Sequence, residues 1–360
     1  MDILVSKRTL LSCALLSLFT SNIASAVTIY EADNGDNIQL YGEVGVGGHV
    51  GANYEYGEFY DDKSYIDDSF ATLGVKGQKD KMHFRLELDY QRENWKYATG
   101  DMELAIDKLY LGYELGSYGY IEAGLTDTAF DDYDRWGDFT FDTTVETGEA
   151  GDQDATIKYE GKFNKFKVGA SYSYGSTSSS GANLGDIVNG YAGYFGDDFS
   201  AVIGLEGRGG ADSSSKYGEQ RLLGIGLRYR VTDYLSVGAN GFIEQEDIAQ
   251  EKTVIDATDP ENIVAIYNDY QTVEHYGALV SAKYQINKHW DVTGSANIEA
   301  YEHWDQESPY WDGKKTSWGK ERSWVTVGVN YQPTPSTIIV LEANAGEAAQ
   351  DAYAYARLYF

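Results

Sequence analysis

Residues 82–90 read Met82-His83-Phe84-Arg85-Leu86-Glu87-Leu88-Asp89-Tyr90, apolar on the even positions and polar on the odd ones. A period of two belongs to a β-strand whose faces meet different surroundings, whereas a helix needs a period of 3.6. The pattern returns at 165–172, 290–298 and 350–360. In the last of these Ala352, Ala354, Ala356, Leu358 and Phe360 share one face, and Tyr353, Tyr355, Arg357 and Tyr359 the other. Carried along the chain, it predicts strands over 38–51, 67–78, 81–92, 102–115, 119–125, 153–163, 165–176, 185–196, 198–208, 218–231, 234–247, 270–285, 289–303, 319–332, 337–346 and 350–360. Both faces are mixed around 104–115 and 185–196, which leaves strand parity open there.

Helical periodicity is almost absent. No stretch after residue 26 approaches 18 consecutive apolar residues, so no transmembrane helix is expected. The connections fall into two sets that alternate. Lys79-Asp80, 116–118, Asn164, Asp197, Thr232-Asp233, 286–288 and 333–336 are short; 52–66, 93–101, 126–152, 177–184, 209–217, 248–269 and 304–318 are long and polar. Only 347–349 breaks the alternation. A soluble sandwich has no reason to sort its loops this way, but an up-and-down membrane barrel requires it.

Lipid cannot satisfy backbone N–H and C=O groups, so a sheet that spans it must close on itself. Closure removes both edges and turns the apolar face outward. About sixteen strands enclose more space than side chains fill, which leaves an aqueous lumen. A mean hydropathy of −0.44 then fits a membrane protein, because the polar half of each strand faces water. The fold class is therefore an all-β, 16-stranded antiparallel transmembrane β-barrel. Tyr41, Tyr90, Tyr110, Tyr113, Tyr159, Tyr172, Tyr229, Tyr284 and Tyr331, with Trp290, lie near predicted strand ends, where aromatic girdles are expected.

Residues 1–26 read as a cleaved signal peptide: Lys7 and Arg8, an apolar stretch over 10–20, then Ala24-Ser25-Ala26. Residues 27–360 form the single barrel domain. Cleavage would remove Cys13, the sole cysteine, and with it any disulfide, thiol nucleophile or thiolate metal site. It would also leave 26 basic and 56 acidic side chains, a formal charge of −30. Such acidity repels a phosphate backbone, so no nucleic-acid partner is expected.

Several stretches resemble the general porins of Gram-negative outer membranes. Thr28-Ile29-Tyr30-Glu31 with Ile38-Gln39-Leu40-Tyr41-Gly42 is similar to their first strand, and 72–77, Thr72-Leu73-Gly74-Val75-Lys76-Gly77, to their second. Leu111-Gly112-Tyr113 followed by 119–124 resembles the approach to their third long loop, and Tyr359-Phe360 their aromatic terminus. The resemblance implies a trimer with one pore per subunit in outer-membrane lipid and lipopolysaccharide. It implies passive diffusion of small hydrophilic solutes, and recognition of Phe360 by the barrel-assembly machinery. It also implies a third long loop folded inward. Where many members carry a basic ladder, this chain has Glu43, Thr72, Asp107 and Leu125. Lys76, Arg85 and Lys108 are the candidate replacements, and Glu87 joins the wall candidates.

The third long loop contains 127–142, DTAFDDYDRWGDFTFD. Asp127, Asp131, Asp132, Asp134, Asp138, Asp142 and Glu146, with Glu149, Asp152 and Asp154, stand against one arginine, Arg135. Folded into a lumen, such carboxylates favour cations. An EF-hand reading fails, because Trp136 and Thr143 occupy ligand positions, and no metal or cofactor is expected. Trp136, Phe139 and Phe141 suit either of two roles: anchoring the loop to the wall, or stacking sugar rings in a channel for chitin-type oligosaccharides. His49, His83, His275, His289 and His303 are scattered, without a G-x-S-x-G or H-E-x-x-H motif, so no enzyme is expected.

Overall fold

The computed structural model describes residues 26–55, 58–59, 65–94, 99–141, 145, 147–177, 183–210, 217–256, 259–303, 322–347 and 349–360. Residues 1–25 of the expected signal peptide, and Asp142 and Glu146 of the expected constriction, lie outside this set.

Sixteen strands form the barrel. They are β1 (Asn37–Glu55), β2 (Phe70–Lys79), β3 (Met82–Asn94), β4 (Thr99–Glu114), β5 (Tyr120–Asp127), β6 (Asp152–Phe163), β7 (Phe166–Thr177) and β8 (Asn183–Phe195). The ring continues with β9 (Phe199–Gly209), β10 (Tyr217–Arg230), β11 (Leu235–Asp256), β12 (Asp259–Gln285), β13 (Trp290–His303), β14 (Arg322–Thr334), β15 (Thr337–Gly346) and β16 (Ala349–Tyr359). Each pairs antiparallel with its sequence neighbours, and β16 pairs with β1, from Ala349↔Asn53 to Tyr359↔Glu43. The ladder is completed by Phe360, whose N–H and C=O exchange 2.9 Å bonds with Gly42. The ring of sixteen strands is thereby closed, as lipid demands. The short segment Val27–Glu31 pairs alongside β1.

The predicted alternation sets the two faces. Leu104, Ile106, Leu111, Val188, Leu205, Val280, Val327 and Leu341 are large, apolar and half or more exposed. Their neighbours on the opposite face, among them Ser173, Asn189, Glu206, Gln220, Glu244, Asn297 and Glu342, are buried and polar. This is the inverse of a soluble protein and the signature of a barrel with lipid outside and a wetted interior. Tyr90, Tyr172, Tyr229 and Tyr284 stand exposed on the outer face. Tyr41 and Tyr110 do not belong to that girdle. The Tyr41 hydroxyl accepts from Arg85 Nε at 2.6 Å and Tyr110 packs edge-on against His83, both on the polar side.

A bulge accounts for the mixed parity near residue 107. Glu87 pairs with Lys108 but Leu88 with Ile106, so Asp107 is an extra residue. Asp107 and Lys108 consequently both leave the apolar face. A second irregularity, at 153–156, places Ala155 at φ 51°. The described part of the expected loop at 248–269, residues 248–256 and 259–269, is instead strand: β11 and β12 stay paired from Leu235↔Tyr284 out to Asp256↔Asp259. Its polar composition hid a ribbon that continues beyond the buried part of the pattern.

Candidate functional site

Residues 128–151 join β5 to β6, and the backbone of their described part is held by side chains from the polar face of distant strands. Ala129 N–H donates to Ser171 Oγ (3.0 Å) on β7 and Phe130 N–H to Asn189 Oδ1 (2.6 Å) on β8. Asn240 Nδ2 on β11 donates to the carbonyls of Asp134 (2.7 Å) and Trp136 (3.0 Å), and Ser281 Oγ on β12 to that of Gly137 (2.6 Å). Phe141 N–H reaches Glu342 Oε1 on β15 (2.6 Å). On the return, Gly148 N–H donates to Glu244 (2.9 Å) and Ala150 N–H to Glu206 (3.2 Å). Backbone groups away from water need such partners, and the polar wall provides them.

Aromatic packing adds to these bonds. Ala129, Phe130, Tyr133 and Trp136 form one buried cluster with Tyr191, Phe195, Val202 and Leu222 of β8–β10. Tyr133 and Tyr191 ring centres lie 4.2 Å apart, and Trp136 meets Phe195 edge-on at 5.3 Å. The Arg228 guanidinium sits 3.9 Å from the Trp136 ring centre and 5.2 Å from Phe139. Phe141 packs on Tyr353 and Tyr355 at 6.2 and 5.8 Å. Trp136 is only 9% exposed, and its Nε1 donates to Ser200 at 3.1 Å.

The carboxylates divide by surroundings. At the foot of the segment, Lys108 Nζ contacts Asp127 (2.6 Å), Asp107 (3.3 Å) and Asp152. Beside it Lys158 and His83 each lie 3.4 Å from Glu122. Asp131 and Asp132 bring carboxylate oxygens within 4.8 Å of one another and of Asp127. Burial, together with Asp127, Asp134 and Asp132, pushes the Asp131 carboxyl up to about 8. Glu149 accepts from Asn189 (2.9 Å), Gly151 N–H (2.7 Å) and Thr128, and burial beside Asp131 and Glu206 raises it well above the usual range. Asp138 turns inward, accepting from Thr140 N–H at 2.9 Å, with Arg135 at 3.9 Å. Asp134 accepts from the Thr147 hydroxyl at 3.4 Å.

A second acidic group lines β1–β4. Glu43, Asp67, Asp68, Glu87, Asp89 and Asp107, with Phe70 and Thr72, surround a cavity of about 330 Å³. Arg357 reaches Glu43 at 3.5 Å and Arg85 reaches Glu87 at 2.7 Å. Lys76 lies over the Tyr41 ring at 5.0 Å. Asp68 and Asp89 accept from hydroxyls, Tyr353 at 3.0 Å and Thr72 at 2.6 Å. Burial raises the Asp68 carboxyl. Glu87, Asp89 and Asp107 form the other trio of described carboxylates close enough to share a cation.

The wall positions named from sequence, Glu43, Thr72, Lys76, Arg85, Glu87 and Asp107, thus gather on one sector of the polar face. Sequence reasoning missed Arg357, Lys158, Arg208 and Arg228, although alternation within their strands places each on that face. It also missed the glycines beneath the segment.

The sequence profile of the Gram-negative porins matches residues 12–351. The chain belongs to the Gram-negative porin family. This porin resembles, in fold, a loop L8 deletion mutant of OmpT, an outer membrane protein of Vibrio cholerae (15% identity, 90% of this chain and 99% of that one, TM-score 0.65). It is similar also to OmpF of Salmonella typhi, solved in complex with daunomycin (14%, 93% and 100%, 0.62). A third likeness is to an anion-selective porin from Comamonas acidovorans (11%, 90% and 100%, 0.57). No match was found among curated proteins. The porin is an outer-membrane β-barrel that forms a channel for diffusion.

Proposed function

We propose that segment 128–151 is the constriction of this channel and that the channel prefers cations. The observation that carries the reading is the siting of the acidic groups. One lies on a segment bonded to the polar wall from β7 to β15, the other around the cavity on β1–β4. Carboxylates held between low-dielectric walls make the interior negative, and a negative interior concentrates cations. Lys108 meets three carboxylates, and Arg85 and Arg357 one each, so these cations lower that charge without cancelling it. Small hydrophilic solutes then pass by size and charge, with no chemical step.

The aromatics support anchoring over sugar stacking. Trp136 meets Phe195 edge-on and carries Arg228 over its ring, and Phe141 packs on Tyr353 and Tyr355, which leaves little ring surface for a sugar. Family membership supports a signal peptide over 1–26, trimeric assembly in lipopolysaccharide-bearing membrane, and recognition of Phe360 by the assembly machinery. Planar-bilayer recording in a salt gradient tests the reading. A reversal potential on the cation side is expected; one on the chloride side overturns it.

A further inference from the structure

Glycine is a costly residue inside a strand. It loses more backbone freedom on folding than alanine and gives the neighbours nothing to pack on. It persists where another group approaches the backbone closely. On the polar face of β9–β11 four glycines occupy positions that alternation reserves for side chains: Gly204, Gly224, Gly226 and Gly238. Gly204 and Gly224 are direct cross-strand partners.

Each lies beneath the acidic segment. A Cβ on Gly204 would fall within the Phe130 ring, and one on Gly224 would lie 2.7 Å from its Cζ. The Phe130 side chain, 1% exposed, therefore fills the space that two side chains would take. One step along, a Cβ on Gly226 would strike the Trp136 carbonyl, and one on Gly238 the Gly137 carbonyl. None of the four has the left-handed backbone that would itself call for glycine.

We propose that Gly204 and Gly224 are positioning residues of the channel: a socket in the barrel wall that receives the Phe130 ring and so sets how far segment 128–151 stands into the bore. The proposal rests on the reading of that segment as the constriction. The wall is a closed ladder and cannot recede, so a methyl group in the socket moves the ring, and the segment with it, toward the channel axis. The bore narrows, and a smaller group at position 130 relieves the overlap.

The test is single-channel conductance of Gly204→Ala, Gly224→Ala and the double variant Gly204→Ala/Phe130→Ala. Heat-modifiable gel migration confirms that each barrel is folded. Gly207→Ala, whose Cβ would meet nothing within 4 Å, is the control. The single socket variants are expected to conduct less than the unmodified protein, the control the same, and the double variant to return toward the original value. A folded Gly204→Ala with unchanged conductance overturns the socket, as does a reduction that Phe130→Ala fails to relieve. Asp132→Cys, labelled with a bulky neutral thiol reagent, separates this from failure of the underlying reading. Conductance untouched by that label refutes the constriction itself; a block by the label with a silent Gly204→Ala refutes only the socket.

Discussion

Lys108 Nζ lies 2.6 Å from Asp127 Oδ1, at the point where β5 gives way to the acidic segment. The same ammonium contacts Asp152 on the strand to which the segment returns, and Asp107 beside it. One cation therefore ties together both feet of the segment. It also offsets three carboxylates that would otherwise repel at close range.

Replacing Lys108 with Gln removes the tie and adds net negative charge to the interior. Because Lys108 is buried, the stranded carboxylates should cost about 3 kcal/mol of stability, in the range for breaking a buried ion pair. Unfolding followed by gel migration measures that loss. The reversal potential should move further to the cation side. A shift toward chloride would contradict the charge argument even if stability fell as expected.

Asp131 gives the segment a pH dependence of definite sign. Its carboxyl is raised to about 8 by burial and its acidic neighbours, so the docked state binds the proton more tightly than the free chain. The stability it contributes is full below the ordinary carboxylate range and declines as pH rises through about 8. Hydrogen exchange of amides in 128–141 should quicken from pH 5 to pH 9 by more than the intrinsic rate explains. In Asp131→Asn that excess should vanish. An excess unchanged in the variant would assign the titration to another group, with Glu149 next in line.

Trp136 separates anchoring from solute recognition. Truncation to Ala empties a cluster packed by Tyr133, Phe195 and Arg228, and should cost about 3 kcal/mol of docking, the lower end for removing a buried aromatic. Open-channel current should become noisier. Chitin-type oligosaccharides at micromolar concentration should block neither the parent nor the variant. Block of the parent that Trp136→Ala abolishes would restore the sugar-channel reading.

The alternation that exposed the barrel worked because each strand separates lipid from water, which imposes a strict period of two. It lost force where one face no longer met lipid. The ribbon formed by the outer parts of β11 and β12 carries a polar sequence and so read as loop at 248–269. Charge was legible as composition at 127–142, but its arrangement was not, since the wall partners Ser171, Asn189, Asn240, Ser281 and Glu342 come from strands up to 201 residues away. The glycines on the polar face carried a usable signal. In a lumen that rewards polar side chains, a residue with none marks a close approach.

Asp107 supplies the last prediction. As the extra residue of a bulge, it can be removed without changing which face its neighbours occupy: Lys108 stays opposite Glu87 and Ile106 opposite Leu88. Deletion should regularise the ladder and leave the barrel folded by heat-modifiable migration. It should also take one carboxylate from the β1–β4 cavity and one partner from Lys108, moving the reversal potential modestly toward neutrality. Deleting Ser295 instead, in β13, where both ladders run without a register shift, should fail to give a folded barrel. A one-residue slip in a regular stretch sends every side chain beyond it to the wrong solvent, and no bulge absorbs the change. If both deletions fold equally well, the bulge is not what sets parity in β4.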